Sequence, residues 1–377
     1  MKFSVIGGGP GGLCFAYLMK RSNPMFDITV YEQNRADATY GWGIVFSDIA
    51  LSFLRDVDPK FHQAFVAHHE RCDYMEIVHN GAHVQVHNNH FSRTSRIGQL
   101  RMLQDICAAA GVVIRYEMRI DDPAALDADV VVAADGVNSA TRTRHADSFR
   151  PSFEKRRNKF AWYGTHQLFH PVSLLFRETP HGVFIAHCYQ YSPELSTFLV
   201  EVDPETWRRA GLDHAGDEES REICAAVFRP ELGASALLSN RSLWFGATVV
   251  RNENWTHDNI VLIGDACRTV HFSLGSGTRM ALQDAIALWQ AFREHGRDVP
   301  AAFRAYEAAR RPGAATFQEA ADRSLSWYEN VAEKMPLEPV TFAYDYMRRT
   351  GRVTHEALRE RDPRFIAAYE ARARRPA

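Results

Sequence analysis

The first thirty residues alternate apolar runs with a glycine-rich segment, a pattern that predicts strand, turn, helix and strand. Residues 3–6 form an apolar run, and residues 13–19 place apolar side chains at helical spacing. Residues 28–31 are rich in β-forming side chains and stop at Glu32. The chain is therefore predicted to begin with a β-α-β unit.

Further along, the periodicity changes twice. Residues 97–110 show helical spacing, and residues 129–134 form a continuous apolar run typical of a fully buried strand. Residues 160–201 alternate apolar and polar positions and are rich in aromatic side chains, which predicts an antiparallel sheet with one exposed face.

The α/β pattern returns with an apolar run at 259–263 and a helix at 278–295, so the β-rich region is inserted into the first domain. We predict an α/β fold, with a Rossmann-like dinucleotide-binding domain, an inserted antiparallel β-rich substrate domain and C-terminal helices. The predicted boundaries are 1–75, 96–150 and 245–330 for the dinucleotide-binding domain, 76–95 and 151–244 for the substrate domain, and 331–377 for the C-terminal helical segment. Helix breaks are predicted at Pro300, Pro312, Pro336 and Pro339.

Composition narrows the classes of function. The 377 residues carry 44 basic and 46 acidic side chains, and this balance disfavours nucleic acid and acidic membranes as partners. No leader segment and no apolar run long enough to cross a bilayer is visible. The six cysteines lack metal-ligand spacing, so we predict no metal site and expect a reducing cytoplasm.

Residues 7–12 satisfy the pattern GxGxxG directly after a strand and before a helix. Gly7 allows the tight turn, Gly9 lets the backbone approach a pyrophosphate, and Gly12 allows close packing of helix on strand. Pro10 begins the helix, whose N-terminal N–H groups suit phosphate binding. The alternative is a glycine-rich turn without a ligand.

Glu32 ends the second strand, twenty positions after Gly12, with Gln33 beside it. A carboxylate at this position accepts hydrogen bonds from ribose hydroxyls in dinucleotide-binding domains. The alternative is a solvated strand end. This fingerprint predicts a dinucleotide and leaves the choice between NAD and FAD open.

Two later motifs extend the pattern. Asp135 and Gly136 follow the buried strand at 129–134, and Gly264 and Asp265 follow the one at 259–263. With GxGxxG and Arg96, they resemble the aromatic-hydroxylase flavoproteins, the family that includes para-hydroxybenzoate hydroxylase.

The resemblance implies one non-covalent FAD, with the Asp135 motif shared between FAD and NAD(P)H, Asp265 on the ribityl chain and Arg96 on the flavin nucleotide. One departure is visible, because residues 271–273 stand where the family has a proline-rich turn.

Residues 40–47, 157–165 and 271–278 resemble more closely the flavin hydroxylases of the salicylyl-CoA 5-hydroxylase group. They resemble the tryptophan hydroxylases of violacein biosynthesis somewhat less. The implied reaction is reduction of FAD by NADPH or NADH, capture of O2 and hydroxylation of an electron-rich ring. An aryl-CoA thioester, with salicylyl-CoA first, is the expected substrate, and an indole derivative is the alternative.

Several residues are expected near the flavin ring. Gly275, Gly277 and Thr278 open the long helix, whose N-terminus would stabilise anionic reduced flavin. Trp42 and Gly43 are expected in the loop beside the ring, although Trp42 could equally be a packed core residue.

His271 is the acid/base candidate, because its charge can change near neutral pH. The alternative is a histidine that holds a backbone carbonyl. Tyr163, His187, Phe272 and Arg157 are predicted to contact the substrate, although strand alternation sends only half of such residues to one face. The basic segment 155–159 could bind the phosphates of coenzyme A or be a solvated loop.

Two rival classes remain at this stage. A flavin-binding protein without hydroxylase activity is disfavoured by the intact set Gly9, Glu32, Asp135 and Asp265. An NAD-dependent dehydrogenase is disfavoured by Asp265 and its glycine turn. The sequence leaves monomer and homodimer equally open.

Overall fold

Two β-sheets organise the protein in a computed structural model that describes residues 1–39, 41–47, 51–270 and 274–373. The strands are β1 Lys2–Ile6, β2 Asp27–Tyr31, β3 Gly43–Ser47, β4 Glu70–His79, β5 Ala82–Ser95, β6 Val113–Arg115, β7 Val130–Ala133, β8 Pro151–Thr165, β9 Val172–Thr179, β10 Gly182–Gln190, β11 Ser196–Val202, β12 Leu237–Leu238, β13 Phe245–Asn252, β14 Thr256–His257 and β15 Ile260–Leu262. The helices are α1 Pro10–Ser22, α2 Ser52–Val57, α3 Pro59–Val66, α4 Arg96–Ala110, α5 Ala140–Arg144, α6 Ala146–Phe149, α7 Pro204–Arg209, α8 Asp217–Val227, α9 Arg229–Leu232, α10 Gly277–His295, α11 Val299–Glu329, α12 Pro339–Arg348, α13 His355–Arg361 and α14 Pro363–Ala373.

The first sheet has the strand order β14-β15-β7-β1-β2-β6. Its neighbours are parallel except for the pair β14–β15, and Val5 in β1 lies between Val30 in β2 and Val132 in β7. All four residues of β7 are buried, as expected for a parallel strand covered on both faces. Helices α1, α4 and α10 contribute to the same apolar core, so the predicted Rossmann-like architecture is confirmed.

The second sheet has the order β12-β8-β11-β10-β9-β4-β5-β3, with β13 added to β8. Apart from the parallel pair β4–β9, its neighbours are antiparallel. It takes β3 and part of β4 from before residue 76, and its strand β13 begins at Phe245. The second sheet therefore takes strands from more stretches of the chain than the predicted segments 76–95 and 151–244.

Both faces of the second sheet are covered at its centre. Strand β11 is buried throughout, as is β10 after its first residue. Side chains from α11, α12 and α14 pack on one face, and those of α8 and α9 pack on the other. The predicted exposed face is therefore wrong for these strands, because helices distant in sequence provide the cover.

Proline positions mark some helix ends and not others. Pro300 and Pro339 lie in the first turns of α11 and α12, where proline is tolerated because the first N–H groups have no intrahelical partner. Pro336 lies between these helices. Pro312 lies inside α11, so the predicted break there is wrong; the buried Ala314 and Ala320 that follow it keep the helix packed on the core.

Candidate active site

A cavity of about 570 Å³ lies where the first sheet meets the second. The turns after β1, β7 and β15, the start of α10, and strands β3, β10 and β11 all contribute to its wall. At one end the wall consists of glycine turns and polar groups. At the other end it is largely apolar, with Met75, Val172, Leu174, Leu199 and Met347.

The glycine turn after β1 contains two kinds of glycine: Gly7 and Gly12 pack against backbone atoms, and Gly9 faces the cavity. Gly7 has a φ of +106°, and a Cβ on it would overlap the carbonyl of Ala134. A Cβ on Gly12 would overlap the carbonyl oxygen of Gly7. Gly9 has nothing within 4 Å of its Cβ position and lines the cavity with Pro10, the first residue of α1. The turn thus leaves room for a ligand at Gly9.

Glu32 is tied to this turn rather than solvated. Its Oε2 accepts a hydrogen bond from the Gly8 N–H at 2.8 Å. Its Oε1 accepts from the backbone N–H of Asn34 at 2.8 Å and from the Asn34 side chain at 2.7 Å. Gln33 is exposed beside it, and neither residue lines the cavity. The carboxylate is held in a fixed position at the edge of the nucleotide turn.

The turn after β7 carries an unsatisfied acid. Asp135 Oδ2 accepts from the Thr141 N–H at 3.1 Å, whereas Oδ1 is buried without a partner among the described residues. Gly136, at a φ of +79°, lines the cavity with open space at its Cβ position. A buried acceptor without a donor costs about 1–3 kcal/mol.

Asp265 follows β15 in a short 3-10 turn, is exposed and lines the cavity. Burial among protein atoms raises the pKa of its carboxyl, and the positive charges of Arg96 and Arg268 oppose that rise. Arg96 also lines the cavity, with its guanidinium 6.0 Å from the centre of the Trp162 ring. Burial lowers the pKa of Arg96, and Asp265 opposes this effect.

Asp284 is a residue that sequence reasoning missed. It is inaccessible to solvent, and its Oδ2 accepts from the Gly264 N–H at 3.0 Å. Its Oδ1 accepts from Arg268 at 2.6 Å and from Arg310 at 2.8 Å. Asp284 therefore fixes the turn that carries Asp265. A carboxylate inside an otherwise apolar helix face was the only signal in the sequence.

The start of α10 forms another part of the wall. Gly275 has a φ of +60°, and a Cβ there would lie 2.9 Å from the Val45 carbonyl oxygen. Gly277 has open space at its Cβ position and lines the cavity with Thr278. The Ser276 side chain bonds to the Leu274 carbonyl and does not cap the helix. The first backbone N–H groups of α10 are thus available to the anionic edge of a ligand in the cavity.

The segment at residues 41–43 packs against the second sheet. The indole of Trp42 covers Gly164 and donates to the Trp162 carbonyl at 3.2 Å. Gly43 leaves room for the Tyr191 ring, and its carbonyl accepts from the Tyr189 hydroxyl at 2.9 Å. Neither Trp42 nor Gly43 lines the cavity, whereas Ile44–Ser47 directly after them do. The core-packing alternative thus describes Trp42, because its ring is needed to cover the glycine.

His187 lines the apolar part of the cavity, as predicted for a substrate contact. Its Nε2 lies 3.0 Å from Glu201 Oε2, and Glu201 is inaccessible to solvent. Asn158 donates to the other oxygen of Glu201 at 2.7 Å. This buried chain orients the His187 ring toward the cavity.

Two predicted substrate residues lie elsewhere. Tyr163 packs in the core beneath α8 and α9, because strand alternation directs its neighbour Trp162 to the cavity instead. Arg157 is exposed, and its backbone N–H and guanidinium bond to Glu329 and Asn330. Arg156 pairs with Glu154 and Glu329, so carboxylates already neutralise much of the basic segment. His271 and Phe272 lie outside the described residues.

The C-terminal helices contribute residues that the sequence did not place in the site. Tyr346, Arg349, Thr350 and Val353 line the cavity. The Arg349 guanidinium lies 3.9 Å from the centre of the Tyr346 ring. The sequence of this segment contains no motif that would have placed it at the cavity.

Among the described residues, no group of three or more His, Cys, Asp or Glu side chains could hold a metal ion. In that same part of the chain, no helix is long and apolar enough to span a membrane. All six cysteines are free, and five of them are buried.

Comparisons with known proteins identify the family of the chain. The family model described as FAD binding domain matches residues 109–321, and one described as NAD(P)-binding Rossmann-like domain matches residues 5–36. Salicyloyl-CoA 5-hydroxylase of Streptomyces sp is 38% identical, over 97% of this chain and 72% of that protein. Protodeoxyviolaceinate monooxygenase of Chromobacterium violaceum is 36% identical, over 95% of this chain and 97% of that protein.

A third relative is 3-hydroxy-4-methyl-anthranilyl-[aryl-carrier protein] 5-monooxygenase of Streptosporangium sibiricum. It is 35% identical, over 90% of this chain and 92% of that protein. Among solved structures, 2-methyl-3-hydroxypyridine-5-carboxylic acid oxygenase superposes with a TM-score of 0.72 at 18% identity, covering 96% of both chains. That last likeness supports the fold alone.

Proposed function

The chain belongs to the FAD-binding domain family, as an FAD-dependent aromatic monooxygenase that uses NAD(P)H, and we propose that its substrate is an aryl thioester. Salicylyl-CoA, hydroxylated para to its hydroxyl, is the first candidate. The observation that carries the proposal is that one cavity joins the turns after β1, β7 and β15 to a largely apolar chamber. When bound and reduced, FAD supplies the oxygen activation, and the protein supplies orientation and exclusion of water.

The residues present fit such a cofactor. Gly9 and Gly136 leave open space where a Cβ would stand, and the buried Oδ1 of Asp135 lacks a donor. We assign FAD binding to Gly7, Gly9, Pro10, Gly12, Glu32, Gln33, Arg96, Asp135, Gly136, Gly264, Asp265, Gly275, Gly277 and Thr278. Trp42 and Gly43 support this set by fixing β3 against the second sheet.

The apolar chamber suits a ring with one polar substituent. Met75, Leu174 and Leu199 exclude water around the ring, and His187 offers a hydrogen-bonding group within this wall. In the proposed complex the substrate hydroxyl bonds to His187, whose orientation Glu201 fixes. His271 remains a second candidate for handling the hydroxyl proton.

The names of two relatives support a thioester. One acts on a salicyloyl-CoA and another on an aryl group attached to a carrier protein, and both align with at least 90% of this chain. The violacein-pathway relative, at 36% identity, keeps an indole-derived substrate as the second candidate.

Kinetic comparison of salicylyl-CoA with free salicylate and tryptophan tests the substrate class. We expect the thioester to give ring-hydroxylated product with kcat/KM at least about tenfold above either competitor, about 1.4 kcal/mol of transition-state stabilisation. Equal efficiency with free salicylate would remove the thioester from the proposal. Preferential hydroxylation of tryptophan would favour the indole alternative.

A further inference from the structure

The turn that follows α12 forms a thin wall between the cavity and solvent. Thr350 and Val353 line the cavity, while Gly351 and Arg352 between them are exposed. Gly351 has a φ of +71°, and the guanidinium of Arg323 occupies the position where its Cβ would stand. The first turn of α10 also contributes to the cavity wall, through Gly277 and Thr278, and Arg279 is the next residue in that turn.

Three arginines lie at this wall, namely Arg279, Arg323 and Arg352, and we call them the arginine rim. Within residues 1–39, 41–47, 51–270 and 274–373, no carboxylate lies within ion-pair distance of any of the three. By contrast, Arg156 and Arg157 on β8 both pair with Glu329. The rim is a positive patch without an internal counter-charge.

Arg279 shows that this arrangement is unfavourable in the absence of a ligand. Its side chain is half-buried, and its Nε is buried without a hydrogen-bond partner. Burial, and then the positive charges of Arg352 and Arg310, lower the pKa of its guanidinium. Arg310 is compensated by Asp284, whereas Arg352 is not paired in the described structure. A dianionic group bound by the guanidinium groups of Arg279 and Arg352 would relieve the repulsion between their charges.

We propose that the arginine rim binds the phosphate group at the far end of a pantetheine arm whose thioester-linked ring occupies the cavity. This rests on the proposed function and adds the site that recognises the carrier. Guanidinium groups match phosphate through paired N–H donors. The apolar chamber and the charged rim adjoin the same turn, at Thr350 and Val353, and together they match an aryl head and an anionic tail. Coenzyme A and a carrier protein both present this phosphate.

The test uses holoenzyme with three salicylyl thioesters, those of coenzyme A, 4′-phosphopantetheine and pantetheine. The variants are Arg352→Gln, Arg279→Gln and Arg323→Gln, with Arg304→Gln, an exposed position on α11, as the matched control. We expect each rim variant to raise KM for the two phosphorylated thioesters about tenfold, since each removes charge-assisted hydrogen bonds to the phosphate. KM for the pantetheine thioester, kcat, retention of FAD and KM for NAD(P)H should stay at wild-type values.

Three other outcomes of these kinetic measurements would overturn the proposal. A rise in KM for NAD(P)H alone would assign the rim to the nicotinamide cofactor, and loss of FAD would assign it to the flavin site; either overturns the proposal. An equal rise for all three thioesters would also overturn it, because pantetheine carries no phosphate.

A direct titration separates the rim from the proposed reaction. Binding of 4′-phosphopantetheine and of coenzyme A to the holoenzyme is measured calorimetrically without NAD(P)H. Equal weakening of both ligands in Arg352→Gln supports recognition of the shared phosphate. Weakening of coenzyme A alone would assign the rim to its adenosine phosphates and overturn the assignment. If no thioester is hydroxylated, the proposed function fails, while this titration still decides whether the rim binds the phosphate.

Discussion

Replacement of Gly9 by valine is expected to yield a folded protein that no longer retains FAD. The Cβ position of Gly9 faces open space in the cavity, so the side chain disturbs no protein contact but fills the place of a pyrophosphate. We expect the affinity for FAD to fall at least about 100-fold, about 2.7 kcal/mol. Flavin absorbance after gel filtration and a titration of apoprotein with FAD measure the effect.

Gly12→Val in the same turn is the matched control. Its side chain would overlap the carbonyl of Gly7 and crowd Val5, whose Cγ1 is 3.0 Å from the Cβ position. This variant should destabilise even the apoprotein, by at least about 1–3 kcal/mol, whereas Gly9→Val should unfold in urea like wild-type apoprotein. Wild-type FAD affinity in Gly9→Val would show that the turn does not hold the dinucleotide.

The second large effect is expected from Asp284→Ala. This change leaves the buried guanidinium groups of Arg268 and Arg310 without their shared carboxylate and frees the N–H of Gly264. Removing one partner of a buried ion pair costs about 3–5 kcal/mol. Urea unfolding of the apoprotein measures the loss, and FAD retention should fall as well because Asp265 sits on the released turn.

Asp322→Ala provides the comparison at the surface. Asp322 pairs with Arg251 at 2.8 Å, but both side chains are about a third exposed. An exposed pair contributes about 0–1 kcal/mol. A free energy of unfolding for Asp284→Ala that matched that of Asp322→Ala would contradict the role assigned to the buried cluster.

The parts of the fold that local pattern controls were predictable. Apolar runs in the sequence predict the β-α-β unit and the buried strands. The glycine turn is predictable because the backbone at Gly7 and Gly12 leaves no room for a side chain. The helices that cover strands β10 and β11 could not be predicted from local pattern. On one face they are α11, α12 and α14, whose contacting residues lie more than a hundred positions later in the sequence. Likewise Pro312 did not end its helix, because packing of the long helix outweighed a local preference.

The candidate site shows the same division. Motif residues that follow strands, such as Asp135 after β7 and Asp265 after β15, lie at the carboxyl ends of neighbouring parallel strands. Tyr163 was misplaced because alternation in a strand gives two faces, and the sequence does not tell which one meets the cavity. Asp284 and Arg349 were missed because their roles depend on contacts across the fold, with Arg268 and Tyr346.

We expect this protein to insert one atom of molecular oxygen into an aromatic ring. The most direct measurement is mass spectrometry of the product formed by holoenzyme from salicylyl-CoA and NAD(P)H under oxygen-18 gas. We expect a product with one heavy oxygen on the ring, formed in step with NAD(P)H consumption and absent without FAD. Oxidation of NAD(P)H that yields only hydrogen peroxide, with no heavy oxygen in salicylyl-CoA, other aryl thioesters or indoles, would contradict it.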